Sequence, residues 1–263
     1  MKHNLTGKLS GKHWVQLVVV LLCAGLVKFY YSTASVNQLR WILTPTKVLV
    51  EFFTGKSFVF ESYTGYMSSD HTFVIAASCA GVNFLITAFL MLSLRKIWRG
   101  RARRSSWSSI ANTAAIAYLV TLIANTARIS LAVLLLKRPL DIGLSPDQLH
   151  RFEGVFVYFA MLLLLFLISE RLSDRAGDKL WSFDGVPNRF RLLRRSFFPL
   201  LVYYAVTLGI PIANGAYKQG SNFTEHAVFV LVIPLLLLLP VMMLQFVKTR
   251  SACEARVSLK PRA

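Results

Sequence analysis

The sequence predicts an all-α polytopic membrane protein: about six transmembrane helices plus one interfacial or re-entrant helix, with both termini in the cytoplasm. Composition is the first observation behind this prediction. Apolar residues fill 55% of the 263 positions and charged residues only 16%, yet the net charge is +18. A water-soluble domain rarely combines so apolar a composition with so basic a balance, whereas a membrane protein buries its spans in lipid and gathers Lys and Arg in cytoplasmic loops. Hydropathy is the second: six segments are long and apolar enough for a hydrocarbon core about 30 Å thick, which takes about 20 helical residues. Charge asymmetry is the third. With the N-terminus inside, segments 1–13, 95–108, 171–196 and 248–263 hold 21 Lys and Arg, against 7 in the outside segments 32–72, 137–152 and 216–226. Motifs of nucleic-acid recognition are absent, so the basic excess speaks for orientation in a lipid bilayer and for no nucleic-acid partner.

The spans run 14–31, 73–94, 109–136, 153–170, 197–215 and 227–247. The first follows Lys2, Lys8 and Lys12 and has a signal-peptide reading too, with small residues at Ser32-Thr33-Ala34, but its length favours a retained helix. Residues 38–53, QLRWILTPTKVLVEFF, are apolar but interrupted by Arg40, Lys47 and Glu51 and broken by Pro45. A crossing there would place the arginine clusters outside, so this segment is expected to lie in the outer interface or re-enter from it. The third span is long enough to tilt or project beyond the lipid. Ahead of the fourth, Ser145-Pro146-Asp147-Gln148 supplies a serine cap, a proline at the first helical position and a capping-box glutamine. That helix therefore begins outside the apolar core and carries His150 in its second turn. Residues 14–172 form one membrane domain. Residues 173–263 add a basic cytoplasmic loop, two further spans of open role and a basic tail.

The candidate chemistry lies in a few polar residues among the apolar ones. Arg128, in IANTARISLAVLLL, sits within the third span, about 12 Å from its outer end. A guanidinium at that depth costs several kcal/mol without a partner or water, which marks it as functional by default; the plainer reading is a structural pin against a carboxylate. Lys28, near the outer end of the first span, reads as a snorkelling side chain. Cys79, in SCAGVNFLITAFL, falls about 9 Å inside the second span, at a depth similar to that of Arg128. Taken alone it is a packing residue among small neighbours that let helices approach. Asn83, four residues after Cys79, and Asn125, three before Arg128, share helix faces with them, as pocket groups or as interhelical hydrogen-bond partners. His150 stands near a helix N-terminus, which disfavours the imidazolium and keeps the ring able to accept a proton. His71, at the mouth of the second span, competes with it. Helical arithmetic sets His150 about 16 Å above Cys79. To meet, the fourth helix must sit deeper, with Arg151 and Glu153 facing a wet cavity. The cysteines Cys23, Cys79 and Cys253 are odd in number and form no CxxC pair, so neither a metal site, a cofactor nor a disulfide framework is expected.

Residues 78–85 (SCAGVNFL), 124–129 (ANTARI) and 150–154 (HRFEG) together resemble the cysteine, arginine and histidine motifs of the exosortase/archaeosortase family. With RWILTPTKVLVEFFTG, they are most similar to the exosortase K branch. The resemblance covers about residues 14–172. It implies a membrane-embedded cysteine peptidase or transpeptidase of the bacterial inner membrane, with its active site facing the periplasm. Its protein substrates are membrane-anchored and carry a C-terminal sorting signal of short motif, hydrophobic span and basic tail. It implies Cys79 as nucleophile, His150 as general acid and base, and Arg128 as the group that stabilises developing negative charge. Two other classes compete: a small transporter using Arg128 for an anionic substrate, and a non-catalytic envelope-assembly scaffold. The transporter would call for paired broken helices or inverted repeats, and neither is evident.

Overall fold

The computed structural model describes residues 11–99, 107–137, 143, 145–175 and 191–258. Lys2, Lys8 and much of the arginine-rich segments 95–108 and 171–196, on which the expected orientation rests, lie outside the described residues. Helix α1 (Gly11–Thr33) has 23 residues, about 35 Å at 1.5 Å per residue, enough to cross a bilayer. It exposes Val18, Leu21, Leu22 and Leu26 as a lipid-facing surface and buries Val20 and Ala24. Its packing partner is α3.

The ambiguous segment is a helix, α2 (Arg40–Thr54), of 15 residues with Pro45 inside. At about 22 Å it is too short to cross. It is amphipathic: Ile42, Leu43, Thr46 and Val50 are buried, while Val48, Phe52 and Phe53 are exposed. The buried face packs on α4 (Trp107–Lys137), where Trp41 stacks on Tyr118 at 5.8 Å and the Tyr118 hydroxyl donates to Trp41 O at 2.8 Å. Gly55, in the left-handed region at φ 69°, ends α2 by donating its N–H to Glu51 O at 2.9 Å.

Residues 58–75 correct the all-helical expectation. They form an antiparallel sheet, β1 (Phe58–Glu61), β2 (Gly65–Ser68) and β3 (Val74–Ile75), in that order, with Phe58 opposite Ser68 and Tyr66 opposite Ile75. The segment is dense in aromatic and β-branched residues, which suit a pleated surface, and such short strands escape a search for 20-residue spans. Gly65 has φ 122°, and a Cβ there would collide with the Ile75 carbonyl. Anchors to α2 fix the sheet: Glu51 Oε1 accepts from the Phe58 N–H at 2.7 Å, the Thr44 and Tyr66 hydroxyls meet at 2.6 Å, and the Arg40 guanidinium lies 4.6 Å from the Phe60 ring centroid. At the β2–β3 turn, Lys56 Nζ reaches Asp70 at 2.7 Å and holds its carboxyl well below the usual carboxylate range, helped by bonds from Ser68 and Thr72.

The second span also begins later than expected. Val74 and Ile75 belong to β3, Ala77–Ala80 form a 3-10 turn, and Gly81 takes the left-handed conformation at φ 70°. Helix α3 (Val82–Arg99) starts only then. Cys79 is therefore not inside a helix but on the turn that leads into one. A hydropathy window reads through this break because alanine, serine and cysteine do not interrupt an apolar run. Helices α4 and α5 (Pro146–Arg175), of 31 and 30 residues, are about 45 Å long and outlast the hydrocarbon core. Helix α5 starts as expected: Ser145 Oγ accepts from the Gln148 N–H at 3.3 Å, and Gln148 Oε1 accepts from the Ser145 N–H at 3.1 Å.

These elements lie in the first of two compact units, residues 1–180; the second covers 181–263. The second contains α6 (Arg191–Tyr204), a π-helical turn (Ala205–Gly209), α7 (Ile210–Ala213), a 3-10 turn (Ala216–Gln219) and α8 (Ser221–Ser258). Inside it the Tyr204 hydroxyl donates to Leu231 O at 2.9 Å. Five stretches in the described residues are long and apolar enough to cross: 11–33, 77–98, 107–136, 148–173 and 223–240. The expected span at 197–215 is a shorter apolar helical stretch, Phe197–Ala213.

Candidate active site

Three pieces of chain converge at the end of the first unit that carries the sheet. The 3-10 turn brings Cys79, α4 brings Asn125 and Arg128, and α5 brings His150, Gly154 and Tyr158. Cys79 is 7% exposed. Its N–H bonds to Ala76 O at 2.9 Å, and its carbonyl accepts from Asn125 Nδ2 at 2.6 Å. Asn125 is wholly buried. The backbone makes room for it, since a Cβ at Gly81 would stand 3.2 Å from Asn125 Cγ. Cys79 thus sits three residues ahead of α3, where the positive end of a helix favours negative charge.

One turn along α4, Arg128 extends towards α5. Its Nη2 meets His150 Nε2 at 2.7 Å, and its Nη1 donates to the Tyr158 hydroxyl at 3.3 Å. The guanidinium carbon lies 5.4 Å from the Tyr158 ring centroid. Positions 150, 154 and 158 recur at i, i+4, i+8 and so share one face of α5. Gly154, in the middle, is what lets the arginine lie flat there: a Cβ would stand 3.1 Å from Arg128 Nε. A guanidinium has no acceptor, so His150 Nε2 must be the accepting atom; the ring is then neutral, with its proton on Nδ1.

Two buried atoms of the site, Arg128 Nε and Glu153 Oε1, have no hydrogen-bond partner among the described residues. Glu153 is 3% exposed, feels the charge of Arg128, and is not within ion-pair distance of it. Cys79 is also within electrostatic range of Arg128 and Tyr158. On the other side of the turn, the Tyr31 hydroxyl reaches Ala77 O at 3.5 Å. Among the described residues no group of three or more His, Cys, Asp or Glu could hold a metal ion.

Several expectations need correction. Asn83 does not share a helix face with Cys79, because Cys79 precedes the helix; Asn83 is exposed and accepts from Lys28 Nζ at 2.7 Å. Lys28 accordingly does more than snorkel: it binds Asn83 and lies 5.6 Å from the Tyr31 ring centroid. His71 is exposed on the β2–β3 turn, its N–H bonded to Ser68 O, whereas His150 is the histidine on Arg128. The height difference assigned to His150 and Cys79 assumed a helix running from Phe73. With that helix starting at Val82, Cys79 lies just ahead of its first turn, and the arithmetic that set His150 about 16 Å above it does not apply. Of the two residues expected to face a wet cavity, Glu153 is buried and Arg151 half-buried. Tyr158 was missed, hidden in the aromatic run FEGVFVYF; its one signal is a hydroxyl eight residues from His150, on the same helical face.

Residues 5–167 match the family model described as transmembrane exosortase (Exosortase_EpsH). The match spans more than half of the chain, and the chain belongs to that family. Neither the curated proteins nor the solved structures contain a match.

Proposed function

We propose that this transmembrane exosortase is a cysteine peptidase or transpeptidase that processes membrane-anchored proteins with a C-terminal sorting signal. In this reading the site faces the outside of the bacterial inner membrane, both termini are cytoplasmic, and the chain lies nearest the K branch of its family. The observation that carries the reading is the convergence on one site of residues from three separate elements: Arg128 on His150 at 2.7 Å, and Asn125, one turn away, on the Cys79 carbonyl at 2.6 Å.

Each role follows from the chemistry of its group. A thiol in apolar surroundings is a poor nucleophile, and it needs a base to take its proton as it attacks. Attack of Cys79 Sγ on the scissile carbonyl carbon forms the C–S bond and moves the carbonyl electron pair to oxygen. Arg128, held by neutral partners, is placed to stabilise that oxyanion in a low-dielectric setting. Redirection of Nη2 from His150 to the oxyanion, with Nη1 still on Tyr158, frees His150 Nε2, which takes up the thiol proton. Collapse of the intermediate breaks the C–N bond, and the imidazolium gives its proton to the departing amine, leaving a thioester. An incoming amine or water loses its proton to His150 as it attacks the thioester, and the departing sulfur takes that proton back from the imidazolium, which restores the thiol and the neutral ring.

The test is co-expression with a membrane-anchored substrate carrying an apolar span and basic tail. The wild-type chain shortens it; Cys79→Ala does not, while Cys23→Ala with Cys253→Ala still does. Normal shortening by Cys79→Ala at normal protein levels removes the cysteine mechanism.

A further inference from the structure

A continuous series of hydrogen bonds crosses the site, and Tyr158 stands at its middle. The Cys79 carbonyl accepts from Asn125 Nδ2 at 2.6 Å, Asn125 Oδ1 accepts from the Tyr158 hydroxyl at 2.9 Å, and that hydroxyl accepts from Arg128 Nη1 at 3.3 Å. Arg128 Nη2 then donates to His150 Nε2 at 2.7 Å. The direction of every bond follows from one constraint. Arginine can only donate, so the tyrosine oxygen must accept from it, and the single phenolic proton must go elsewhere. It goes to Asn125 Oδ1, which turns the amide so that Nδ2 faces the Cys79 carbonyl. The ring is held independently, stacked on Phe84 of α3 with centroids 5.1 Å apart. Tyr158 therefore links α3, α4 and α5 and couples the position of the guanidinium to that of the cysteine turn.

We infer that Tyr158 is a positioning residue for the transfer reaction: through Asn125 it sets the cysteine turn, and through Arg128 Nη1 it sets the cation against that turn. This rests on the reading of Cys79 as the nucleophile. The Tyr158 hydroxyl bonds to Arg128 and Asn125 and not to the Cys79 sulfur. It restricts Arg128 to one of the guanidinium's orientations, the one with Nη2 on His150. Without the hydroxyl, Asn125 keeps no proton donor at Oδ1 and its amide is free to rotate away from Cys79. Misplacement of a catalytic group by about 1 Å costs on the order of 100-fold in rate.

The experiment uses the full-length chain in membranes with Cys23 and Cys253 replaced by Ala. Tyr158→Phe keeps the ring and its stack on Phe84 and removes only the hydroxyl. Two quantities are measured: the rate at which iodoacetamide alkylates Cys79 at one near-neutral pH, and kcat and KM for processing. Expected are slower alkylation, a kcat lower by about 10- to 100-fold, and little change in KM. A residue that only packed would behave oppositely, because loosening the bundle exposes the thiol and speeds alkylation. Asn125→Leu breaks the same series at the next link, so the double variant should lose no more than the worse single. Unchanged or faster alkylation with unchanged kcat in Tyr158→Phe overturns the inference, and so do fully additive losses in the double variant. These outcomes are separable from the proposed function, which stands or falls on Cys79→Ala: slower alkylation beside normal processing by Cys79→Ala would keep the positioning and remove the nucleophile.

Discussion

The first unit sets two arginines against α5, Arg95 buried and Arg128 half-buried, one near each end, and they are held differently. Arg95, on α3, meets a carboxylate: its Nε lies 2.6 Å from Glu170 Oε1, and its Nη2 donates to Ser169 O at 2.7 Å and Ser173 Oγ at 2.9 Å. Both side chains are nearly inaccessible, at 5% and 3%. The Arg128 side chain meets only neutral groups, His150 and Tyr158, and makes no ion pair among the described residues. A neutralised guanidinium is a pin. One solvated by neutral dipoles keeps its field, ready for an anion that forms later. The carboxylate partner that a structural pin would use belongs to Arg95, and Arg128 has none within ion-pair distance among the described residues.

The largest effect that would separate the two is on stability. Removing one partner of a buried ion pair leaves the other charge uncompensated and costs about 3–5 kcal/mol. Arg95→Leu should therefore lower accumulation and the thermal midpoint in detergent sharply, and adding Glu170→Leu should recover much of the loss. Arg128→Leu breaks no ion pair, although it removes the charge that buried Glu153 feels, and should lower accumulation much less than Arg95→Leu. If the two leucine variants were equally unstable, the distinction between pin and site would collapse.

The next effect is on rate. Loss of one preorganised oxyanion donor costs about 100- to 1,000-fold in kcat, and Arg128→Leu should show it with KM nearly unchanged. Arg128→Lys keeps the charge but loses the planar fork that spans His150 and Tyr158, so it should insert normally and recover little of the rate. Full activity in Arg95→Lys beside inactivity in Arg128→Lys would sharpen the contrast. Processing by Arg128→Leu at wild-type speed would make Arg128 a pin as well.

The helices and the principal polar residues were legible because they depend on local rules. The capping box at Ser145 and Gln148 is four residues long, and the apolar runs name their own helices. Residues 58–81 were not legible in this way. Strand pairing of Tyr66 with Ile75 is a contact between segments, and the 3-10 turn at Cys79 depends on Gly81 adopting a left-handed conformation that no hydropathy average registers. The same break misplaced Cys79 in height and Asn83 in orientation. Tyr158 stayed hidden for another reason: a tyrosine among phenylalanines counts as apolar until a buried acceptor such as Asn125 is brought beside it. The orientation of the bundle rests on charge counts. It should be visible as labelling of cysteines introduced at 54–70 and 137–150 by an impermeant thiol reagent on intact cells, and labelling of 95–108 from outside would invert it.

The smallest expected effect comes from a single methyl group. Gly154 lies in the interior of α5, where alanine is the better helix former by about 1 kcal/mol. Its Cβ, however, would approach Arg128 Nε to 3.1 Å, so the guanidinium has to yield by a few tenths of an ångström. Gain and strain oppose each other, and the thermal midpoint of Gly154→Ala should stay close to wild type. In the proposed reaction the shift falls on the side chain that meets the oxyanion, so kcat should drop by about tenfold, less than for losing the donor outright. Gly25 on α1 is the control, because a Cβ there meets nothing within 4 Å; Gly25→Ala should leave kcat unchanged. A Gly154→Ala variant that processed substrate at full speed would mean that the placement of Arg128 against α5 does not set the rate. The contrast with Arg95 would then lie in charge pairing alone.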